Sequence, residues 1–170
     1  MKLHIGGEEV KPNWKILNIQ KKEGVDFVGD ISDLSQFKDN LIEEIYASHV
    51  FEHIHQKKIK ETLLGVNRVL KTNGKFYISV PDLDILFHFF LNPLINKRAK
   101  WDTLRIIFGG QTDEHDFHYF GWNFELLEDF LKEAGFSKIE KVSNFNIFNN
   151  DTSSHKIYGF PISLNIIAHK

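Results

Sequence analysis

The sequence predicts an α/β domain in which helices cover the faces of a mostly parallel β-sheet. Short apolar runs bounded by Gly, Pro, Asn or Asp alternate with segments whose apolar residues recur at helical spacing. The last two predicted strands follow each other without an intervening helix, which is typical of an antiparallel pair at the edge of a sheet. Together these two observations favour a single layered α/β fold.

Size and composition restrict the class of protein further. The chain has 170 residues and 42% hydrophobic content, as expected of one domain spanning 1–170. Its formal net charge of -2 gives no broad basic surface for nucleic acid or an anionic membrane. The absence of cysteine excludes disulfides, cysteine-ligated zinc and thiol catalysis. No apolar run approaches the ~20 residues of a membrane span, so we expect a cytoplasmic protein.

Each predicted element rests on a local pattern. Strands are indicated by short apolar runs between turn residues, at 2–6, 14–19, 25–30, 42–48, 75–80, 137–148 and 161–170. Helices are indicated by apolar residues at helical spacing, at 56–70, 100–108 and 123–136. The segment 71–74 has the composition of a helix end, and Asn123 and Gly135 have residue types typical of helix caps. The polar, histidine-rich stretch 109–122 is expected to form a loop.

The order of these pieces is the most informative feature of the sequence. The chain begins with a strand ending in glycines, then a strand ending in a polar residue, then a strand ending in Gly-Asp. After these come the segment "EEIYASHVFEHI", a long helix ending "VNRVLKTNGKFYISVPD", and a terminal helix ending "EAGF". This order resembles that of the class I S-adenosylmethionine-dependent methyltransferases, and is most similar to a compact bacterial branch of that family. The likeness covers about residues 2–140 and is most specific over 45–81. It implies a Rossmann-like sheet, mostly parallel with an antiparallel C-terminal edge strand.

The link between the first two strands is too short for the family's usual first helix. Only the six residues from Glu8 to Asn13 separate Gly7 from Trp14. A parallel crossover normally needs a dozen or more residues. We therefore expect the first helix, whose N-terminus usually helps to bind the cofactor's carboxylate, to be missing. Either a stretched loop reaches the second strand, or the first two strands are not adjacent and parallel.

The resemblance also implies a site for S-adenosylmethionine beyond the carboxyl ends of the strands. The candidate cofactor-binding residues are Gly6, Gly7, Glu8, Asn18, Asp30, Ile31, Ser48 and His49. The two glycines would let the backbone approach the cofactor. Asp30 would bind the adenine amine, with Ile31 against the ring. Ser48 and His49 would line the floor near the methionine moiety.

Two of these positions depart from the family pattern. Glu8 stands where a further glycine is usual, and would either pair with the cofactor's ammonium group or crowd its amino-acid moiety. Asn18 stands where an acid usually accepts hydrogen bonds from the ribose. An amide can accept one bond and donate another, but it lacks charge-assisted strength. A second hypothesis is therefore a binding or partner subunit that keeps the fold without the cofactor site.

His49, Glu52 and His53 also form the pattern H-x-x-E-H, which occurs in inverted zinc-protease motifs. Zinc ligands four residues apart must share one face of a helix. Here the turn from strand to helix falls near His49, so that face does not extend across both histidines. We therefore expect helix-entry and core residues at these positions and no metal. A zinc hydrolase is the alternative, which a bound metal would reveal.

The loop 109–122 contains the residues expected to act on the methyl acceptor. Transfer to oxygen or nitrogen needs an in-line approach and usually a base. His118 is the preferred base, because a histidine with a pKa of about 6.5 accepts a proton at neutral pH, and Asp116 or His115 would orient it. The alternatives are solvated surface histidines and a metal bound by His115 and His118.

The acceptor and any protein partner are suggested by the resemblance alone. Compact relatives are associated with surface-polysaccharide and sugar metabolism, which implies a small acceptor such as a sugar hydroxyl. The Phe-rich stretch 86–94 is expected to be core, a cap over the substrate pocket or a homodimer contact.

Overall fold

The computed structural model describes all residues, 1–170. It contains nine strands, listed here in chain order: β1 (Lys2–Ile5), β2 (Trp14–Asn18), β3 (Phe27–Val28), β4 (Ile42–Ser48), β5 (Leu70–Pro81), β6 (Lys138–Val142), β7 (Lys156–Ile157), β8 (Phe160–Pro161) and β9 (Ser163–His169). The four helices are α1 (Ile59–Val69), α2 (Leu83–Leu91), α3 (Lys97–Phe108) and α4 (Phe124–Glu133). Three single 3-10 turns lie at Phe51–His53, Gln56–Lys58 and Thr152–Ser154.

Seven strands form one sheet in the order β3-β2-β1-β4-β5-β9-β6. The first five strands in this order, β3 to β5, pair in parallel with one another. β9 runs antiparallel between β5 and the edge strand β6. β7 and β8 form a separate two-stranded hairpin. The predicted α/β fold, mostly parallel with an antiparallel pair at the C-terminal edge, is therefore confirmed. Strand order reverses between β1 and β4, the position at which open sheets of this kind bind ligands.

The two faces of the sheet are covered differently. One face presents apolar side chains from every central strand, such as Leu3, Ile45 and Phe76, and all three are fully buried in the main core. α1 and α4 pack on this face through residues that include Leu63 and Leu127. The opposite face has no helix between β1 and β2 or between β2 and β3. The prediction that the first helix is missing is confirmed.

β1 and β2 are nevertheless adjacent and parallel, in the register Lys2 to Trp14. A four-residue strand rises about 13 Å, and the eight residues 6–13 can extend roughly 26–29 Å. The link can therefore return along β1 without a helix. Its end is held by hydrogen bonds from Lys2 N to Asn13 O, 3.3 Å, and from Trp14 N to Lys11 O, 3.1 Å.

The place of the missing helices is taken by residues 143–155, which we call the covering segment. Its Phe148 stacks on His4 of β1 at 4.0 Å between ring centroids and contacts the rings of Trp14 and Tyr46 edge-on. The segment also ties down the β1–β2 link, because the carboxylate of Glu9 accepts hydrogen bonds from the backbone of residues 149–150. A segment distant in sequence thus completes the N-terminal half of the sheet.

Several predicted boundaries shift in the structure. α1 ends at Val69, and the segment 71–74 belongs to the long strand β5, where Asn73 adopts a left-handed conformation with φ +65°. The predicted strand 137–148 stops at Val142, because the aromatic residues that follow pack in the covering segment. The caps at Asn123 and Gly135 are as predicted, since the Asn123 side chain accepts from Leu126 N and Gly135 has φ +92°.

The Phe-rich stretch forms α2, which is only partly core. Leu86 and Phe89 are buried, whereas Phe87 and Leu91 are exposed, Leu91 to 74% of its surface. The homodimer contact expected for this stretch stays a prediction. None of the helices is both long and apolar enough to cross a bilayer.

The covering segment makes a testable contribution to stability. Phe148 is 7% exposed and contacts three other rings. We expect Phe148→Ala to lower the free energy of unfolding by about 3 kcal/mol, since it removes a buried aromatic side chain and leaves a cavity. Urea denaturation monitored by circular dichroism measures this change. Phe87→Ala, at a position 48% exposed on α2, is the matched control and should cost below about 1 kcal/mol. Equal losses would show that the segment does not support the fold.

Candidate active site

A cavity of about 320 Å³ opens beyond the carboxyl ends of β1, β2, β3 and β4. It lies at the reversal of strand order, and its volume is within the range of small-molecule sites. Of the expected cofactor-binding residues, five line it: Gly6, Asn18, Asp30, Ile31 and His49. Val50, Ile54, Lys22 and Tyr119 also contribute to the wall.

The glycine turn after β1 needs both of its glycines. Gly6 has φ +75°, and a Cβ at this position would lie 2.6 Å from a methyl group of Val50. A Cβ on Gly7 would lie 2.2 Å from the imidazole of His4. Gly6 N donates to Leu17 O at 2.9 Å, which holds the turn against β2. The backbone therefore forms the cavity wall directly at Gly6.

Asn18 supports this turn from the end of β2. It is 7% exposed; its Nδ2 donates to Gly7 O at 3.2 Å, and its Oδ1 accepts from Gln20 N at 2.9 Å. One N–H and one lone pair of the amide remain available. Its expected role at the ribose stays a prediction, and the structure adds a role in positioning the glycine turn.

Asp30 and Ile31 form the wall of the cavity after β3. Asp30 is exposed, and its Oδ1 accepts from Ser32 N at 2.7 Å, which fixes the carboxylate at the start of a turn. The second carboxylate oxygen remains available to a ligand. Ile31 is 2% exposed and, like Val50, gives this part of the cavity an apolar surface.

Three expected cofactor residues lie outside this cavity. Gly7, Glu8 and Ser48 line a neighbouring cavity of about 280 Å³ instead. Glu8 forms an exposed ion pair with Lys22 at 2.5 Å, because the link folds back over the end of β2. Ser48 forms a hydrogen bond with Thr152 of the covering segment at 2.6 Å. In this structure Glu8 therefore does not crowd the cavity of about 320 Å³ at the ends of β1 to β4.

His49 stands at the end of β4 in an uncommon backbone conformation. Its φ is +53°, which is uncommon for residues other than glycine. Its ring lines the cavity, with Nδ1 3.2 Å from Glu52 Oε1 and Nε2 3.0 Å from Ser163 Oγ. A histidine beside a buried carboxylate has the arrangement of an oriented proton acceptor.

Glu52 is the most deeply buried acid near the cavity, at 1% exposure. Burial pushes its pKa upward, but the net pKa lies below the ordinary value, because His49 contacts the carboxylate and His53 and His118 lie close by. Burial lowers the pKa of His118, and the nearby charge of Glu52 opposes this shift. The acid and the histidines therefore form one electrostatically coupled group.

The loop residues expected to act on the acceptor are arranged differently from the prediction. Asp116 accepts from Gly110 N and from the backbone and hydroxyl of Thr112, so it shapes the loop, and no hydrogen bond joins it to His118. His115 lines the cavity at its exposed edge. His118 instead lies edge-on to His53, with ring centroids 4.7 Å apart. Neither Asp116 nor His115 orients His118 in this structure.

Sequence reasoning missed several residues at this site. Glu52 and His53 were visible in the H-x-x-E-H pattern but were assigned to the helix entry and core. His155 of the covering segment has its ring 6.2 Å from that of His49, and Tyr119 closes one side of the cavity. No local signal in the sequence identifies His155 or Tyr119, because the fold brings them to the site from distant segments.

Comparison with known proteins gives one partial family match and many structures with a similar fold. Residues 8–78 match a family of proteins described as a methyltransferase domain. Among solved structures, the fold is similar to that of a SAM-dependent methyltransferase from Archaeoglobus fulgidus, with 19% identity, a TM-score of 0.59, and 99% of this chain and 85% of that chain covered. The YcgJ protein from Bacillus subtilis has 16% identity and a TM-score of 0.60, with 99% and 90% covered.

A third similar structure contains ligands. The 1,6-didemethyltoxoflavin-N1-methyltransferase of Burkholderia thailandensis, solved with 1,6-didemethyltoxoflavin and S-adenosylhomocysteine, has 14% identity and a TM-score of 0.56, with 92% of this chain and 60% of that chain covered. No curated protein sequence matches the chain. Identities this low establish the fold, and the family match covers residues 8–78, less than half of the chain.

The family match over residues 8–78 and the shared fold agree with the resemblance to class I S-adenosylmethionine-dependent methyltransferases that the sequence predicts. S-adenosylmethionine is the cofactor of this class.

Burial of His4 beneath the glycine turn predicts a pH dependence of stability. Burial lowers its pKa from 6.5 to about 4. Because the folded state binds this proton less readily than the unfolded state, the free energy of unfolding should fall as pH drops from about 6.5 to 4, by about 3 kcal/mol in total.

Urea denaturation between pH 7 and pH 4 measures this slope. His4→Phe, which keeps a ring against Phe148 but cannot titrate, should flatten the slope, whereas His88→Asn, at an exposed position on α2, should leave it unchanged. A slope in His4→Phe equal to that of the wild type would refute the assignment to His4.

Proposed function

We propose that this protein transfers the methyl group of S-adenosylmethionine to an oxygen or nitrogen of a small acceptor, with the cofactor in the cavity at the ends of β1 to β4. The observation that carries this proposal is that the Gly6 turn after β1 and the Asp30 carboxylate after β3 line the same cavity, which lies where the strand order reverses. The family match supplies the reaction class.

The residues present fit the cofactor. Gly6 leaves room that a side chain would fill, since a Cβ there would meet Val50 at 2.6 Å. Ile31 and Val50 offer apolar surfaces for adenine, and the free oxygen of Asp30 can accept from its amine. The remaining lone pair and N–H of Asn18 suit a ribose hydroxyl.

The acceptor side of the proposed site is formed by histidines. When bound, the cofactor supplies an electrophilic methyl group. His49 is the proposed base. In this structure Ser163 Oγ donates to Thr152 O and accepts from His49 Nε2. The ring therefore has to release Ser163 and carry its proton on Nδ1, beside Glu52, before Nε2 can take the acceptor's proton. His49 is better placed for this role than His118, because it lines the cavity and contacts the buried carboxylate.

A sugar hydroxyl is the acceptor class that we propose, following the family resemblance. It is a weak nucleophile at neutral pH, so it needs the base that His49 provides. The exposed His115 and Tyr119 at the cavity edge offer polar and aromatic contacts that suit a sugar ring.

A partner subunit without cofactor binding is the second candidate function. The absent first helix and the use of the Asn18 amide within the glycine turn favour it. The two candidates differ in whether S-adenosylmethionine binds.

Calorimetric titration with S-adenosylmethionine and S-adenosylhomocysteine separates them. We expect micromolar affinity, about -8 kcal/mol, and at least tenfold weaker binding by Asp30→Ala. Asp33→Ala is the matched control, because Asp33 also accepts a backbone bond in a turn, from Ser35 N at 3.0 Å, but does not line the cavity. Absence of heat and of thermal stabilisation at millimolar ligand would favour the partner subunit.

The proposed base is tested by His49→Asn in a screen of monosaccharides and nucleotide sugars that detects S-adenosylhomocysteine release. We expect cofactor affinity within about threefold of the wild type and a transfer rate lower by a factor of about 10²–10⁴. His55→Asn, at an exposed position outside the cavity, should keep the wild-type rate. A wild-type rate in His49→Asn would exclude this residue as the base.

A further inference from the structure

Three side chains beside the cavity converge in a way that methyl transfer does not require. Glu52, His53 and His118 each offer one ligand atom, and these atoms all lie within 4.8 Å of one another. Glu52 and His53 belong to the 3-10 turn after β4, whereas His118 comes from the loop that follows α3. The fold therefore assembles the group from two distant segments.

The buried carboxylate of Glu52 is the strongest indication of a missing ligand. It is 1% exposed, and neither of its oxygens has a hydrogen-bond partner. Burial of a carboxylate is costly unless a cation or several donors compensate its charge. The ring of His49 lies 3.2 Å from Oε1, whereas Oε2 has no hydrogen-bond partner.

The two histidines are arranged as metal ligands usually are. His53 Nδ1 lies 3.0 Å from the carbonyl oxygen of Phe117. When Nδ1–H donates to that carbonyl, Nε2 keeps its lone pair for a metal, and such backbone bonds commonly fix the tautomer of metal-binding histidines. The ring of His118 lies edge-on to that of His53, at 85° between ring planes, within the same group.

We propose that Glu52, His53 and His118 bind a divalent first-row transition ion, most simply Zn²⁺. Two imidazoles and one carboxylate are a donor set that zinc and its neighbours accept, whereas Mg²⁺ and Ca²⁺ prefer all-oxygen sites. Bonds of about 2.1 Å place tetrahedral ligand atoms roughly 3.4 Å apart, so modest side-chain rotations close the site. The spacing of histidines in the sequence suggests the pairs His49 with His53 and His115 with His118, and neither of them is the pair that converges.

The site has two consequences for the molecule. An ion held by both segments fastens the loop 109–122 to the turn after β4, where Tyr119 N already donates to Glu52 O at 2.9 Å. Three protein ligands leave a coordination position for water or a small molecule. His53 lines the cavity, so this position lies at its edge. The proposal does not depend on methyl transfer, because it concerns ion binding by the chain itself.

The test is calorimetric titration of EDTA-treated protein with ZnCl₂, with MgCl₂ as the comparison ion. We expect one equivalent of Zn²⁺ to bind and to raise the melting temperature, with no comparable effect of Mg²⁺. Glu52→Gln, His53→Asn and His118→Asn should each weaken Zn²⁺ binding by at least about 100-fold. His88→Asn, which alters an exposed histidine on α2, should bind as the wild type does.

Folding of the variants is checked in metal-free buffer. Glu52→Gln keeps the size and shape of this buried side chain, so its metal-free melting temperature should stay close to that of the wild type, which separates loss of the site from loss of the fold. The proposal is overturned if Zn²⁺ fails to bind the wild type at 100 times the protein concentration. It is equally overturned if the three variants bind Zn²⁺ as tightly as the wild type, because the ion then lies at other histidines. S-adenosylmethionine binding is measured separately, so failure of either proposal leaves the other standing.

Discussion

The eight-residue link between β1 and β2 determines how the rest of this molecule is built. Two adjacent parallel strands joined without a helix leave one face of the sheet uncovered at His4, Trp14 and Tyr46. Aromatic side chains on an open face would lie in water, so another part of the chain has to cover them. Residues 143–155 do so, and their contacts with Glu9 also hold the link in place. The form of the cavity at the strand ends follows, because the glycine turn is supported from below by His4 and from β2 by Asn18.

The electrostatics of the site have a different origin from its shape. Shape comes from strand ends and the glycine turn, whereas charge is concentrated in a single buried acid, Glu52, with three histidines around it. The charge of this carboxylate opposes the lowering of the pKa of His118 by burial. Any chemistry at the acceptor end of the cavity therefore involves the group as a whole, and His49 connects this group to the cavity.

The parts of the fold that local patterns determine could be predicted from the sequence. The central strands, α1 and α4 appear as apolar periodicity, and the caps at Asn123 and Gly135 as residue type. The covering segment could not be recognised, because alternating apolar residues such as Phe145 and Phe148 look the same whether they pair as a strand or pack across a sheet. The family pattern predicted Asp30 at the end of β3, and the residue lines the cavity there. The approach of His118 to Glu52 could not be foreseen, since no spacing in the sequence encodes a contact between the turn after β4 and a distant loop.

The position of the covering segment late in the chain has a consequence for the order of folding. β1 and β2 are made first, but their exposed face is completed only by residues 143–155, and β9, which pairs with β5 in the middle of the sheet, is made later still. The contacts that close the domain therefore span most of the chain, which is the topology of slow folding. The aromatic face formed by Trp14 and Tyr46 therefore stays open to water until residues 143–155 have packed on it.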